Sequence, residues 1–315
     1  MAVALSQEDT KILSQSVFEK LASKNPDLIK EAEDAINEFT RRKMREQGFL
    51  RHILPPLSLT NDELDRQVHT AKPIKVIDME PDSPAAISVP LGSTPQQYQI
   101  MATRYAVMFD RILTPKFTAD VDDLRTWHMD IRQVLSDNAI KDMLAEEDGK
   151  FIGAVDAALV GVGTTLPFSG TVQYKQMNSP ITRDSLWDSL KVLPETPFNL
   201  EVQTILCNNI TIKDVAKLDR VEMGGDMAMD VMKQGTSVLD GLLGKRWIVT
   251  IKKSLVPTSH MYHFADPKFI GKFFTLEDVT MYLRREAFML EFFAYSYSGL
   301  TIGHTGSIAH VHFNA

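Results

Sequence analysis

Apolar residues recur at helical spacing in the first half of the chain and at strand spacing near its end. Leu13, Val17 and Leu21 share one face of a predicted helix, with Ser6 and Asp9 placed as a capping box. Asn25-Pro26-Asp27 marks a restart, with Asn as N-cap, Pro at the first helical position and acid in the first turn. Leu28, Ala32, Ile36 and Phe39 then form a thin stripe that ends in Arg41, Arg42, Lys43 and Arg45 before Gly48. Cations suit a helix C-terminus, so this basic end reads as a solvated, dipole-matched terminus rather than a nucleic-acid patch. From Phe49 to Lys116, prolines at 55, 56, 73, 81, 84, 90, 95 and 115 forbid long helices. IKVIDM (74–79), AISVPL (86–91) and RYAVMFDRIL (104–113) have strand composition there, and together predict an extended projection with little core of its own.

Leu124, Trp127, Ile131 and Leu135 return to helical spacing, and Ser136-Asp137-Asn138 offers a cap for a second segment. That segment carries Ile140, Met143, Leu144, Phe151, Val155 and Leu159 and stops at Gly161 and Gly163. Gly149 and Gly153 sit inside it, each costing about 1 kcal/mol relative to Ala, and close approach of another element is the expected reason. Further on, 181–193 predicts a helix with Asp184 as cap, 202–209 a buried strand or short helix, and 210–235 a helix bent at Gly224-Gly225. The closing stretch from Lys245 to Phe313 is the most apolar and strand-like part, and it predicts strands locked into a core built earlier. There is no internal repeat, heptad run or low-complexity tract.

Composition narrows the function classes. The 315 residues are 44% hydrophobic and 24% charged, ordinary for a globular protein able to bury a sizeable core. A net charge of −7 argues against a sequence-independent nucleic-acid binder. With one cysteine, Cys207, neither an intrachain disulfide nor a cysteine zinc site is expected. MAVALSQEDTK lacks the basic start and apolar run of a signal peptide, and no stretch of about twenty apolar residues predicts a membrane span.

Candidate chemistry is sparse. GLLGKR (241–246) has two residues between its glycines where a phosphate loop needs four, so it reads as a turn before a strand. Gly161-Val162-Gly163 follows a helix, whereas a dinucleotide loop follows a strand. His310 and His312 alternate by two and share one strand face; with His260 and His263 they are the candidate metal or pH-responsive residues. No acid or cysteine stands at a familiar spacing to them, so surface or interface histidines are expected. Cys207 is a candidate nucleophile, but its apolar run points to buried packing. Glu146-Glu147-Asp148 and Asp120, Asp122 and Asp123 read as solvated helix faces or starts. No catalytic, cofactor-binding or metal residues are assigned.

The order of parts resembles a known family. A charged helical arm precedes a Pro-punctuated loop and the long helix AEEDGKFIGAVDAAL (145–159); GKRWIVTIKKSLVP to YHFADPKFIGK (244–272) and LTIGHTGSIAHVHF (300–313) follow. From about residue 50 onward the chain resembles a tailed-bacteriophage major capsid protein of the Hong Kong 97-like fold. The resemblance implies an α+β fold with an N-terminal arm (1–48), an extended E-loop (49–118), a peripheral domain with a spine helix (119–170 and 275–315) and an axial domain (171–274). It further implies self-assembly into hexameric and pentameric capsomers of an icosahedral shell, without catalysis or cofactor. Portal, scaffolding and decoration or minor capsid proteins would be its partners, double-stranded DNA its unread content, and the virion its place after assembly in the host cytoplasm. An encapsulin-like nanocompartment shell resembles the same fold. From another class, a soluble enzyme using Cys207 or the His310/His312 pair is the rival reading.

Overall fold

The computed structural model describes residues 48–65, 72–78, 88–92, 94, 97, 104–120, 131–161, 173–196, 198–218, 242–286 and 288–314. The helices expected over 6–47, the positions Leu124 and Trp127, the bend at Gly224-Gly225 and Gly163 lie outside these residues.

In chain order the first elements are α1 (Phe49–Ile53), β1 (Pro56–Ser58), β2 (Ile74–Asp78), β3 (Arg104–Met108), β4 (Asp110–Leu113) and β5 (Phe117–Asp120). Then come α2 (Ile131–Gly161), β6 (Tyr174–Met177), α3 (Arg183–Leu190), β7 (Thr204–Asn208) and α4 (Asn209–Ala216). The closing stretch holds β8 (Arg246–Thr250), β9 (His260–Phe264), α5 (Pro267–Ile270), β10 (Gly271–Glu286), β11 (Met289–Ile302) and β12 (Ile308–Phe313).

Helix α2 dominates. It runs 31 residues without interruption, so the expected restart at Ser136-Asp137-Asn138 does not occur. Capping residues cost only a few tenths of a kcal/mol inside a helix, and the continuing buried stripe outweighs that. Met143, Leu144, Phe151, Ile152, Val155 and Leu159 are buried at 3- and 4-residue steps. The lower part of this stripe packs with Phe49, Leu50, Ile53 and Leu54 of the entering chain and with Tyr262, Phe264, Phe273 and Ile308 from the sheets. Gly149 has Leu255 at ordinary contact distance from its missing Cβ, 3.7 Å. Gly153 faces open space, so close approach within the chain does not explain it.

Two sheets share this core. The first runs β1-β10-β11-β4, with β5 also on β11. Strand β11 alternates from Leu290 to Ser298: Leu290, Phe292, Ala294, Ser296 and Ser298 are buried and the residues between them half-exposed. Gly271 opens β10 where a Cβ would lie 2.1 Å from the Thr301 carbonyl oxygen, so only glycine fits. The second sheet runs β6-β12-β9-β7-β8. Strand β12 is parallel to β6 and antiparallel to β9, so residues 308–313 join the sheet of residues 174–264, while 271–302 make the long ribbon of the other sheet. Between the two, Gly306 turns under the Phe198 ring, 2.3 Å from where its Cβ would be.

Residues 49–58 are packed or paired in the body, and 110–113 and 117–120 pair with β11; the hairpin β2–β3 forms a separate two-stranded sheet. The single strand expected over 104–113 splits at Phe109, whose amide donates to the Pro73 carbonyl (3.0 Å) while its ring packs on Phe274. Ser88–Pro90 are not a strand and Leu91-Gly92 make a turn, because Pro90 cannot donate to a ladder. Thr182, not Asp184, caps α3 by accepting from the Ser185 amide. Asn208 caps α4, and its side-chain amide donates to the buried Val256 carbonyl.

Candidate functional site

The chemistry-bearing residues are mostly consumed by the fold. Cys207 lies in β7, where all five residues are buried, and belongs to the core under α3 and α4. Burial pushes its thiol up to about 12, which leaves no thiolate at neutral pH. A nucleophile needs the opposite environment.

Strands β9 and β12 bring three of the four candidate histidines together. His310 lies opposite Tyr262 and His312 opposite His260 in register. An N–H···N hydrogen bond of 2.8 Å joins His260 Nδ1 and His310 Nε2, and His260 stacks on His312 at 4.2 Å. Tyr262 stacks nearly parallel on His310, and its hydroxyl donates to Asp156 Oδ1 of α2 at 3.3 Å. Burial drives the imidazoles toward the neutral form, His260 to about 4 and His310 to about 3, and the neighbouring histidines add to it. Burial also raises Asp156 to about 6. His263 points to the opposite side of β9, is fully buried with neither ring nitrogen bonded, and is held near 4 by burial. Among the described residues no group of three or more His, Cys, Asp or Glu is arranged to hold a metal ion.

The acidic run on α2 is not a solvated face. Glu147 is 2% and Asp148 0% exposed, and only Glu146 of the three faces solvent. Arg51 of α1 donates a fork to Glu147, Nε to Oε2 and Nη2 to Oε1, both 3.0 Å, and its Nη1 also reaches Asp278 Oδ1 at 3.2 Å. Burial pulls the Arg51 guanidinium down, but hydrogen bonds and charge from Glu147 and Asp278 more than offset it and the net shift is upward. Asp148 accepts from the Leu50 amide (3.0 Å) and from Lys252 Nζ (2.7 Å); burial raises it and Lys252 opposes. Five charged groups from four segments thus tie the entering chain, α2, the loop after β8 and β10 together. The spacing carried this signal: Glu147 and Asp148 lie four residues after Met143 and Leu144 and four before Phe151 and Ile152, inside the buried stripe.

The surface offers contact more than chemistry. A mixed-charge cleft of about 370 Å³ between β4 and α2 is lined by Arg111, Thr114, Asp142, Glu146 and Lys150 among others. At the ribbon end, Phe117, Tyr282, Phe288 and Met289 are exposed, and the ladder Tyr282, Phe293, Tyr295 and Tyr297 runs along one face of β10–β11. The β2–β3 hairpin exposes Met108. Among the described residues no helix is long and apolar enough to cross a membrane.

No protein-family model matches the sequence, and no curated protein matches it. Solved structures do. The mature capsid of bacteriophage PhiM1 superposes with a TM-score of 0.57 at 9% identity, over 85% of this chain and 87% of that one. The capsid of cyanophage P-SCSP1u gives 0.55 at 10% identity, over 82% and 87%. The chain has the fold of a phage capsid protein. A virus-like particle from Pyrococcus furiosus gives 0.53 at 14% identity and covers 88% of this chain and 98% of that one. The α+β architecture implied by the resemblance is therefore shown at the level of the fold.

Proposed function

We propose that this chain is the major shell protein of a tailed phage: copies assemble through capsomers into a closed icosahedral shell around double-stranded DNA and catalyse nothing. The observation that carries the reading is the capsid fold across more than four-fifths of the chain, against structures that are themselves assembled shells. Two features support it physically. The β2–β3 hairpin meets the body only through a small cluster, Val107 and Phe109 against Phe274, and a two-stranded unit with so little burial gains from a further partner surface. Exposed apolar and aromatic groups cluster at the ribbon end, where repeated heterologous contacts would close a shell.

In this reading residues 1–48 are the arm and the E-loop is centred on β2–β3. The peripheral domain combines α2 with the β10–β11 ribbon, and the axial domain is the β6-β12-β9-β7-β8 sheet with α3 and α4. The boundary within 275–315 then falls at the Thr305–Ser307 turn, because β12 pairs with β6 and β9. Portal, scaffolding and decoration proteins are the expected partners, and the virion the final location. Protein expressed alone should sediment as very large particles or capsomers; a stable monomer at high concentration would overturn the proposal.

The match to the Pyrococcus furiosus particle favours a second reading, an encapsulin-like compartment enclosing protein cargo. The charged N-terminal segment and long Pro-rich loop favour the phage shell. Nuclease-protected DNA in purified particles supports the phage shell, and a co-purified enzyme supports the compartment.

A further inference from the structure

The residues that link β9 to β12 are unusual for the centre of a sheet. His260, His310 and His312 lie within one contact shell, with ring centres 4.2 Å apart for His260–His312 and 4.9 Å for His260–His310. Tyr262 from β9 covers one face of His310, and Tyr174 from β6 meets it edge-on at 5.2 Å. Gln176 of β6 lies opposite His312 in register and donates to Asn314. Helix α2 contributes Asp156, reached through the Tyr262 hydroxyl, and His263 adds its influence from the other face of β9. The strand these groups secure, β12, carries the fully buried Ile308, Ala309 and Val311 between two neighbours.

We propose that this cluster is a proton-operated latch on the C-terminal strand: proton uptake loosens β12 from β9 and β6 while the β10–β11 ribbon stays paired. The N–H···N bond between His260 and His310 requires at least one unprotonated ring nitrogen. One added proton can be shared across that bond, but a second places two cations about one ring apart, one of them on the buried His310. Asp156 does not rescue them, since burial gives it its own proton near pH 6, before the imidazoles charge. The sign follows from the lowered imidazole values. The latch is closed above the unfolded histidine range near 6.5 and loosens as pH falls toward about 4. This goes beyond shell formation and gives each subunit an acid-sensitive point distinct from the charge cluster around Arg51.

Hydrogen exchange on the full chain tests it, with rates corrected for intrinsic pH dependence. Between about pH 7.5 and about pH 5, amides of 260–264 and 308–313 should open at least about thirtyfold more often, while those of 290–301 change less than about twofold. His310→Phe keeps the stack on Tyr262 but cannot take a proton, and His260→Gln removes a proton site at a half-exposed position. Either variant should shrink that change by at least about tenfold, since one of the two shifted imidazoles is gone. Parallel loosening of both sheets, a flat profile, or a wild-type profile in His260→Gln would each overturn the latch. The readout needs no assembled shell, so absence of particles at neutral pH contradicts the shell reading and leaves the latch decided by exchange alone.

Discussion

Replacing Arg51 with Met removes one charge from the most buried ionic cluster in the described fold. The Arg51 and Glu147 side chains are 2% and 1% exposed, so Glu147 would be left charged and without its fork, next to Asp278. Breaking a buried pair from one side costs about 3–5 kcal/mol, because the surviving charge keeps its desolvation penalty and loses its compensation. For a chain of this size that is a fall of about 4–8 °C in the thermal midpoint. The assay is thermal unfolding of purified protein at one concentration and oligomeric state, with Arg51→Met/Glu147→Met alongside. The double variant should recover most of the loss, since an apolar pair of similar volume in the same place is often neutral or stabilising. A single-variant shift below about 2 °C would refute the reasoning, because it would mean that water reaches and solvates the cluster. A double variant as unstable as the single would show that Arg51 contributes packing rather than charge compensation.

Other outcomes follow from the same geometry. Native Cys207 should resist maleimide at pH 8 and react only after denaturation, as a thiol raised to about 12 by burial must. Gly271→Ala should cost about 3 kcal/mol and lower soluble yield, since the new methyl overlaps the Thr301 carbonyl. His263, held near 4 against about 6.5 unfolded, contributes stability above pH 6.5 that is lost as pH falls; at pH 5 the loss is about 2 kcal/mol. His263→Leu should therefore raise the melting temperature more at pH 5 than at pH 7.5. Replacing 79–103 by a two-residue turn between Asp78 and Arg104, which pair in register, should leave a folded subunit that no longer forms particles on a sucrose gradient.

Local signals in the residue pattern were read well where the element buries its own stripe. The apolar spacing from Ile140 to Leu159 located helix α2, and the strand-rich run after Trp247 located β8 to β12. Competing caps were harder: Ser136-Asp137-Asn138 looks like a restart, and Asp184 looks as good a cap as Thr182, because both are local preferences worth less than the packing around them. Strand partners were not legible at all. Nothing in IAHVHF shows that it inserts between β6 and β9 rather than extending the ribbon, since alternation sets the face of a strand and not its neighbour. The buried charge cluster was legible in principle. Glu147 and Asp148 occupy stripe positions, yet the run Glu146-Glu147-Asp148 invites a solvated reading until Arg51 and Lys252 arrive from 96 and 104 residues away. The histidines show the same limit: His310 and His312 announce a shared face, but the third ring, His260, comes from a different strand.

The proposed self-assembly of this chain is tested most directly by electron microscopy of the protein expressed alone. Negatively stained samples at neutral pH should show closed, uniform shells or their capsomers. A field of monomers at high protein concentration, with no shells, would contradict it.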